Sequence, residues 1–112
     1  MNAATFQIVI HRPPLTSGLV TQPTAPERIG LPHLRCLRIY DNLVSVGDKI
    51  QPGALVLVPV QINTRPQVAL IVSDDWLGVK VNGAPAAAMQ FISQDDAVEC
   101  EGSDLVLRIC MA

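Results

Sequence analysis

The placement of proline and glycine constrains this chain more than any other feature. Nine prolines and seven glycines, together with scattered charges, cut every apolar run within about ten residues. Runs that short suit strands and turns. They leave little space for a long helix and none for the roughly 20 apolar residues of a membrane span. Hydrophobic residues make up 49% of the 112 positions and aromatic ones only 4%, so the core must come mainly from Val, Leu, Ile and Ala. Apart from Ala, these fit pleated strands. A chain of this length supports one core, and residues 1–112 are expected to form one β domain.

The runs themselves give the order of elements. Phe6 to His11 is rich in β-branched residues and stops at Pro13 and Pro14, which cannot donate to a ladder. From Leu15 to Pro32 the chain mixes Thr, Ser, Gly and Pro without clear periodicity, which reads as a long Pro-rich surface loop covering about residues 13–33. Arg35 to Tyr40 reads as a half-buried strand, with Arg35 and Arg38 on one outer side if Cys36 turns inward. Turns follow at Asp41-Asn42, Gly47-Asp48 and Pro52-Gly53, with Leu43 to Val46 as a short strand between the first two. Ala54 to Val60 is apolar apart from Pro59, which pushes that end toward an edge, whereas Val68 to Val72 is apolar throughout and therefore central. Asp74-Asp75 turns the chain, Leu77 to Val81 runs back, and Asn82-Gly83 is suited to the positive φ of a tight hairpin turn. Ala84 to Met89 forms either one helical turn or a crossing between sheets. Val98 to Cys100 and Leu105 to Ile109 complete a last hairpin. Seven to ten short, mostly antiparallel strands define an all-β chain, either a small β-sandwich or an SH3-like, partly open barrel.

A formal net charge of −2 argues against general affinity for nucleic acid or anionic membrane, both of which need clustered Lys and Arg. Charge is uneven along the chain. Arg12, Arg28, Arg35 and Arg38 lie early, while Asp95, Asp96, Glu99, Glu101 and Asp104 crowd the end, as two solvated patches or as a docking face. Cys36, Cys100 and Cys110 lack a Cys-x-x-Cys pair and sit in or beside apolar runs, where thiols behave as small hydrophobes in the reduced state. The first ten residues carry no basic segment followed by a long apolar stretch, so the expected location is cytoplasmic. His11 and His33 both neighbour prolines at loop starts. His33 with Cys36 makes only a lone metal-type pair, and Asp74-Asp75 and Asp95-Asp96 suit turns, so no catalytic site, metal or cofactor is expected.

Several stretches share the pattern of one family. Val46-Gly47-Asp48 is similar to its Gly-Arg after a strand, and Ala54 to Val58 to the apolar strand that follows. Thr64-Arg65-Pro66-Gln67 before Val68 to Val72 resembles its Ser-Arg-x-His. Trp76 to Gly83 resembles its "W…VNG" region, and Phe91 to Val98 with Leu105-Val106-Leu107 its closing strands. From Leu43 onward the chain thus resembles a forkhead-associated (FHA) domain, a β-sandwich whose loops recognise phosphothreonine in partner proteins. The resemblance implies a protein-interaction or assembly module whose partner-binding loops carry Gly47, Asp48, Thr64, Arg65, Trp76, Asn82 and Gly83.

The departures from the family bear on chemistry. Asp48 stands where the family places a phosphate-contacting arginine, and a carboxylate there repels a dianion. Gln67 replaces the structural histidine, and the short Ser73 to Leu77 connection leaves no counterpart for the peptide-contacting asparagine. The implied module is phosphate-independent, with a protein partner and no membrane or nucleic acid. Sandwiches of this look also precede zinc-binding RING-type modules in some bacterial proteins, which makes a larger ubiquitin ligase a candidate parent, although no zinc pattern is present here. Val44 to Gly53 separately resembles the "GD.I..G" turn of lipoyl and biotinyl carrier domains, without a lysine in the modified context. The rival expectation is an SH3-like or barrel domain around Gly53 to Val72 that binds a small ligand or nucleic acid.

Overall fold

The computed structural model describes residues 6–40, 43–72 and 78–111, and no helix occurs among them. The strands are β1 (Phe6–His11), β2 (Leu15–Ser17), β3 (Val20–Gln22), β4 (Glu27–Leu31), β5 (Arg35–Tyr40), β6 (Leu43–Gly47) and β7 (Leu55–Ile62). They continue as β8 (Arg65–Val72), β9 (Val79–Val81), β10 (Ala84–Pro85), β11 (Met89–Ile92), β12 (Ala97–Cys100) and β13 (Val106–Met111). Six of them form one antiparallel sheet in the order β10-β9-β12-β13-β1-β4, and five form another in the order β11-β8-β7-β5-β6. Among the described residues each sheet keeps two free edges, so the architecture is a small all-β sandwich and not a closed barrel.

Period-two patterning builds the shared core. Phe6, Ile8 and Ile10 of β1 stand opposite Leu31 and Ile29 on one side and Ile109 and Leu107 on the other. They meet Leu37, Leu55, Leu57, Val68, Leu70 and Ile92 of the five-stranded sheet in one buried cluster. Burial of each such side chain is worth about 1.5–3 kcal/mol against exposure. Val9 points the other way, between Arg28 and Arg108 in the register, yet is buried. The long stems of arginines cover apolar neighbours of this kind while their heads stay wet.

The segment expected to be a long loop is instead structured. Gly18, at φ +62°, turns β2 back onto β3 as a separate ribbon, and Glu27 to Leu31 pairs with β1 as an edge strand. The described strands number thirteen, above the seven to ten expected, because this segment supplies three that its mixed composition hid and the stretch from Ala84 to Ile92 supplies two more. Arg35 and Arg38 do not share a side either. In β5, Leu37 faces the core and Cys36 belongs to a second cluster outside it, so Arg38 stands on the side of Cys36 and Arg35 on that of Leu37. Of the two options for Ala84 to Met89, the chain takes the crossing, with Ala86 N–H donating to Val79 and Val72 N–H to Ala88.

Pro59 sits where its missing N–H breaks nothing. β5 pairs with β7 only over Leu55 to Leu57, so from Val58 onward β7 has lost that neighbour. On the other side β11 ends its pairing with β8 at Val68. Among the described residues the stretch from Val60 through Gln67 therefore forms a two-stranded arm whose strands pair only with each other.

Candidate functional site

The residues singled out as partner-binding loops fall into separate places. Gly47 closes β6 opposite Cys36, which lies level with Val56. Asp48 follows it and forms an ion pair with Arg35, whose Nε also donates to the Gly30 carbonyl at 3.3 Å. Thr64 and Arg65 occupy the tip of the arm, eight positions along β7 and its turn from Val56, which is about 26 Å in extended chain. Asn82 and Gly83 lie near the end where β8 begins, because Ile92 pairs with Val68 and Asp96, four residues on, bonds Asn82. The structure thus sets Gly47 and Asp48 apart from Thr64 and Arg65. Trp76 lies outside the described residues, as do Asp74-Asp75 and the Asp41-Asn42 turn.

Two of these side chains already have internal work. Asn63 and Thr64 take φ of +50° and +67°, and the Thr64 hydroxyl donates to the Asn63 carbonyl at 2.5 Å. Asn82 and Gly83, at φ +53° and +84°, make the tight turn that their sequence predicts. Asn82 Oδ1 accepts from Ala97 N–H at 2.9 Å, its Nδ2 donates to Asp96 at 3.0 Å, and Asp96 accepts Ser93 N–H at 2.8 Å. These bonds sew the β9–β10 turn to the link between β11 and β12.

The charged residues of the early chain also find partners close at hand. Arg12 pairs with Glu27 at 2.8 Å and Arg28 donates to Gln7 at 3.4 Å. Arg108, from the late chain, donates to the Asp95 carbonyl at 3.0 Å.

Sequence reasoning missed the outer face and edges of the five-stranded sheet. Cys36, Ala54 and Val56 form a second apolar cluster there, joined by Leu34, Val58 and Ile71. Beside it on edge strand β11, Met89 is 54% and Phe91 47% exposed. At the opposite edge, Leu43 of β6 is 72% exposed, with Tyr40, Val46 and Ile50 also open to solvent. A signal for this was present: Leu55 to Val58 and Val68 to Val72 are continuous apolar runs, and a strand of that kind offers apolar side chains to both faces. The outer face of the six-stranded sheet differs, since Arg28 and Arg108 flank Val9 there and Lys80 stands opposite Glu99.

Arg38 adjoins the β6 edge. Its guanidinium lies 5.1 Å from the Tyr40 ring centroid and its Nη1 donates to Gln51 at 3.4 Å, but its Nε is buried without a partner. A cleft of about 60 Å³ opens between Arg38, Ser45, Val46, Gly47 and Gln51. Two further clefts, of about 150 Å³ beside Val79 and Pro85 and about 200 Å³ beside Lys80 and Glu99, fall below the roughly 300–1,000 Å³ usual for small-molecule sites. Burial pushes the Cys100 thiol up to about 11, which keeps it protonated and unreactive at neutral pH. No group of His, Cys, Asp or Glu suited to a metal ion occurs among the described residues. Comparison of the chain with protein-family profiles, with curated proteins and with solved structures found no match.

Proposed function

We propose that this chain is a protein-interaction module, an FHA-like sandwich that binds its partner without reading phosphate. The observation that carries the reading is the exposed apolar surface at both edges of the five-stranded sheet, Met89 and Phe91 at one and Leu43 and Val46 at the other. Large exposed apolar side chains that adjoin a wider apolar face mark surfaces that another protein covers. Two stacked antiparallel sheets joined by short turns are the architecture that the family resemblance implies, and they support it. Phosphate independence rests on Asp48, which stands at the family's phosphate-contacting position and neutralises Arg35. The Thr64 hydroxyl, engaged by its own turn, supports the same conclusion.

The test is a residue-resolved NMR titration with a phosphothreonine peptide library and its unphosphorylated twin. Equal shifts from both libraries at β6 or β11 are expected. Shifts at Asp48, Thr64, Arg65 and Asn82 that require the phosphate would overturn the reading.

A further inference from the structure

We infer that the free edge of β6 is a docking strand for an extended segment of a partner protein that carries a carboxylate opposite Ser45, paired there with Arg38. The inference rests on the interaction reading above and names the partner's chemistry.

The backbone sets the shape of the occupant. Among the described residues β6 pairs only with β5, so alternate residues of Leu43 to Gly47 turn N–H and C=O groups outward. An added strand satisfies such groups, and its side chains then alternate between the two faces of the sheet. Edge strand β11, Met-Gln-Phe-Ile, is as unguarded as β6 but has no arginine on its neighbour strand β8 between Val68 and Val72. The remaining two edges are guarded. β10 is two residues long and ends on Pro85, and β4 carries Glu27 and Arg28. β6, by contrast, reads Leu-Val-Ser-Val-Gly without charge or proline. Those guards are the devices by which edge strands avoid pairing with other chains, and β6 lacks them.

Charge sets the occupant's composition. Arg38 stands opposite Ser45 on the outer face, and Ser45 is small enough to leave the cleft between them open. The residue of an added strand facing Ser45 projects onto that same face, two strand spacings or about 9.6 Å from the Arg38 backbone. A guanidinium and a Glu carboxylate bridge that gap from the two sides. Arg38 has no carboxylate partner among the described ion pairs, which are Arg12 with Glu27 and Arg35 with Asp48. Its buried Nε lacks any partner. Arginine offers its outer Nη donors as a planar fork, so a carboxylate in the cleft accepts two parallel charge-assisted bonds from them where the single long contact to the neutral Gln51 amide accepts one. On the opposite face Val44 and Val46 select apolar residues in the partner, which gives an alternating apolar-acidic pattern centred on the glutamate.

The experiment uses the full chain and two capped peptides, Thr-Val-Thr-Val-Glu-Val-Thr-Val-Thr and the same sequence with Gln for Glu. Binding is followed by backbone amide shifts and fluorescence anisotropy. The Glu peptide is expected to shift Leu43 to Gly47 and to bind about tenfold more tightly than the Gln peptide, a difference that Arg38→Gln removes. A second variant, Val46→Pro, takes one N–H from the edge and should weaken both peptides equally while leaving the amide shifts of β1 and β13 unchanged. Equal affinity for the two peptides, no binding by either, or pairing of β6 with a second copy of this chain would overturn the inference. Shifts confined to β11 and the Val58, Ala69 and Ile71 face would also overturn it but leave the interaction reading standing. Phosphate-dependent shifts in the phosphothreonine library titration would instead remove that reading.

Discussion

Two turns of this molecule use the same backbone solution in opposite settings. Asn82-Gly83 and Asn63-Thr64 each place two residues at positive φ between antiparallel strands. The first is tied by side-chain bonds to Ala97 and Asp96, whereas the second ends an arm that no other described strand pairs with. Glycine adopts the second turn position without strain, but a β-branched threonine there is costly. The comparison teaches that turn geometry alone does not determine how much stability a turn carries. The bonds that reach beyond the turn do.

The largest effect should come from breaking the anchored turn. Asn82→Ala removes bonds to two elements and puts alanine at positive φ, and should cost about 2–4 kcal/mol in urea unfolding, against about 1 for Asn63→Ala, which carries the φ cost alone. Similar losses at the two positions would remove the contrast.

Next in size is a pH effect from Cys100, which lies in β12, the strand that Asn82 holds. Its thiol keeps its proton in the folded state up to about 11, against an ordinary value of 9.0. Above 9 the unfolded chain loses that proton first, so the unfolded state is favoured as pH rises. The contribution is full below pH 9 and is lost as pH climbs through 11, on the order of 2 kcal/mol. Denaturation of the wild type and of Cys100→Ala across this window checks it. The variant, less stable throughout, should show a shallower decline, and parallel curves would contradict the assignment.

Thr64→Gly gives the arm the pair that the anchored turn already has and should stabilise the chain by about 1 kcal/mol, because relief of the strained φ exceeds the entropy cost of glycine. A loss of stability would mean that the Thr64 hydroxyl bond matters more than the strain. The smallest effect is expected from Asp48→Asn, below about 1 kcal/mol and shrinking with salt, since its pair with Arg35 is solvent-exposed.

Legibility in the sequence followed the same division. Asn82-Gly83 was readable because an Asn-Gly pair between apolar runs has few other uses, and the central place of Val68 to Val72 was readable from its unbroken apolar character. Asn63-Thr64 was not, because threonine carries no preference for the left-handed region. β4 was hidden by Glu27, Arg28 and Gly30, since an edge strand needs few buried residues and so leaves a faint pattern. Placing Arg35 and Arg38 on one outer side was a misreading that counting corrects: a spacing of three puts two strand residues on opposite faces. Of the candidate site, the loop residues were legible as turns. The β6 edge was not, because exposure depends on which strands happen to lie outermost, and only the sheet order fixes that.

The pairing of β1 with β13 joins residues from opposite ends of the described chain, while β7 with β8 and β5 with β6 join near neighbours. Closing a long loop costs entropy before any contact repays it, whereas adjacent hairpins close quickly. Formation of the five-stranded sheet should therefore precede completion of the six-stranded one, with the meeting of β1 and β13 as the late event. Core truncations in β7 and β8 should then slow folding, and those in β1 should chiefly speed unfolding.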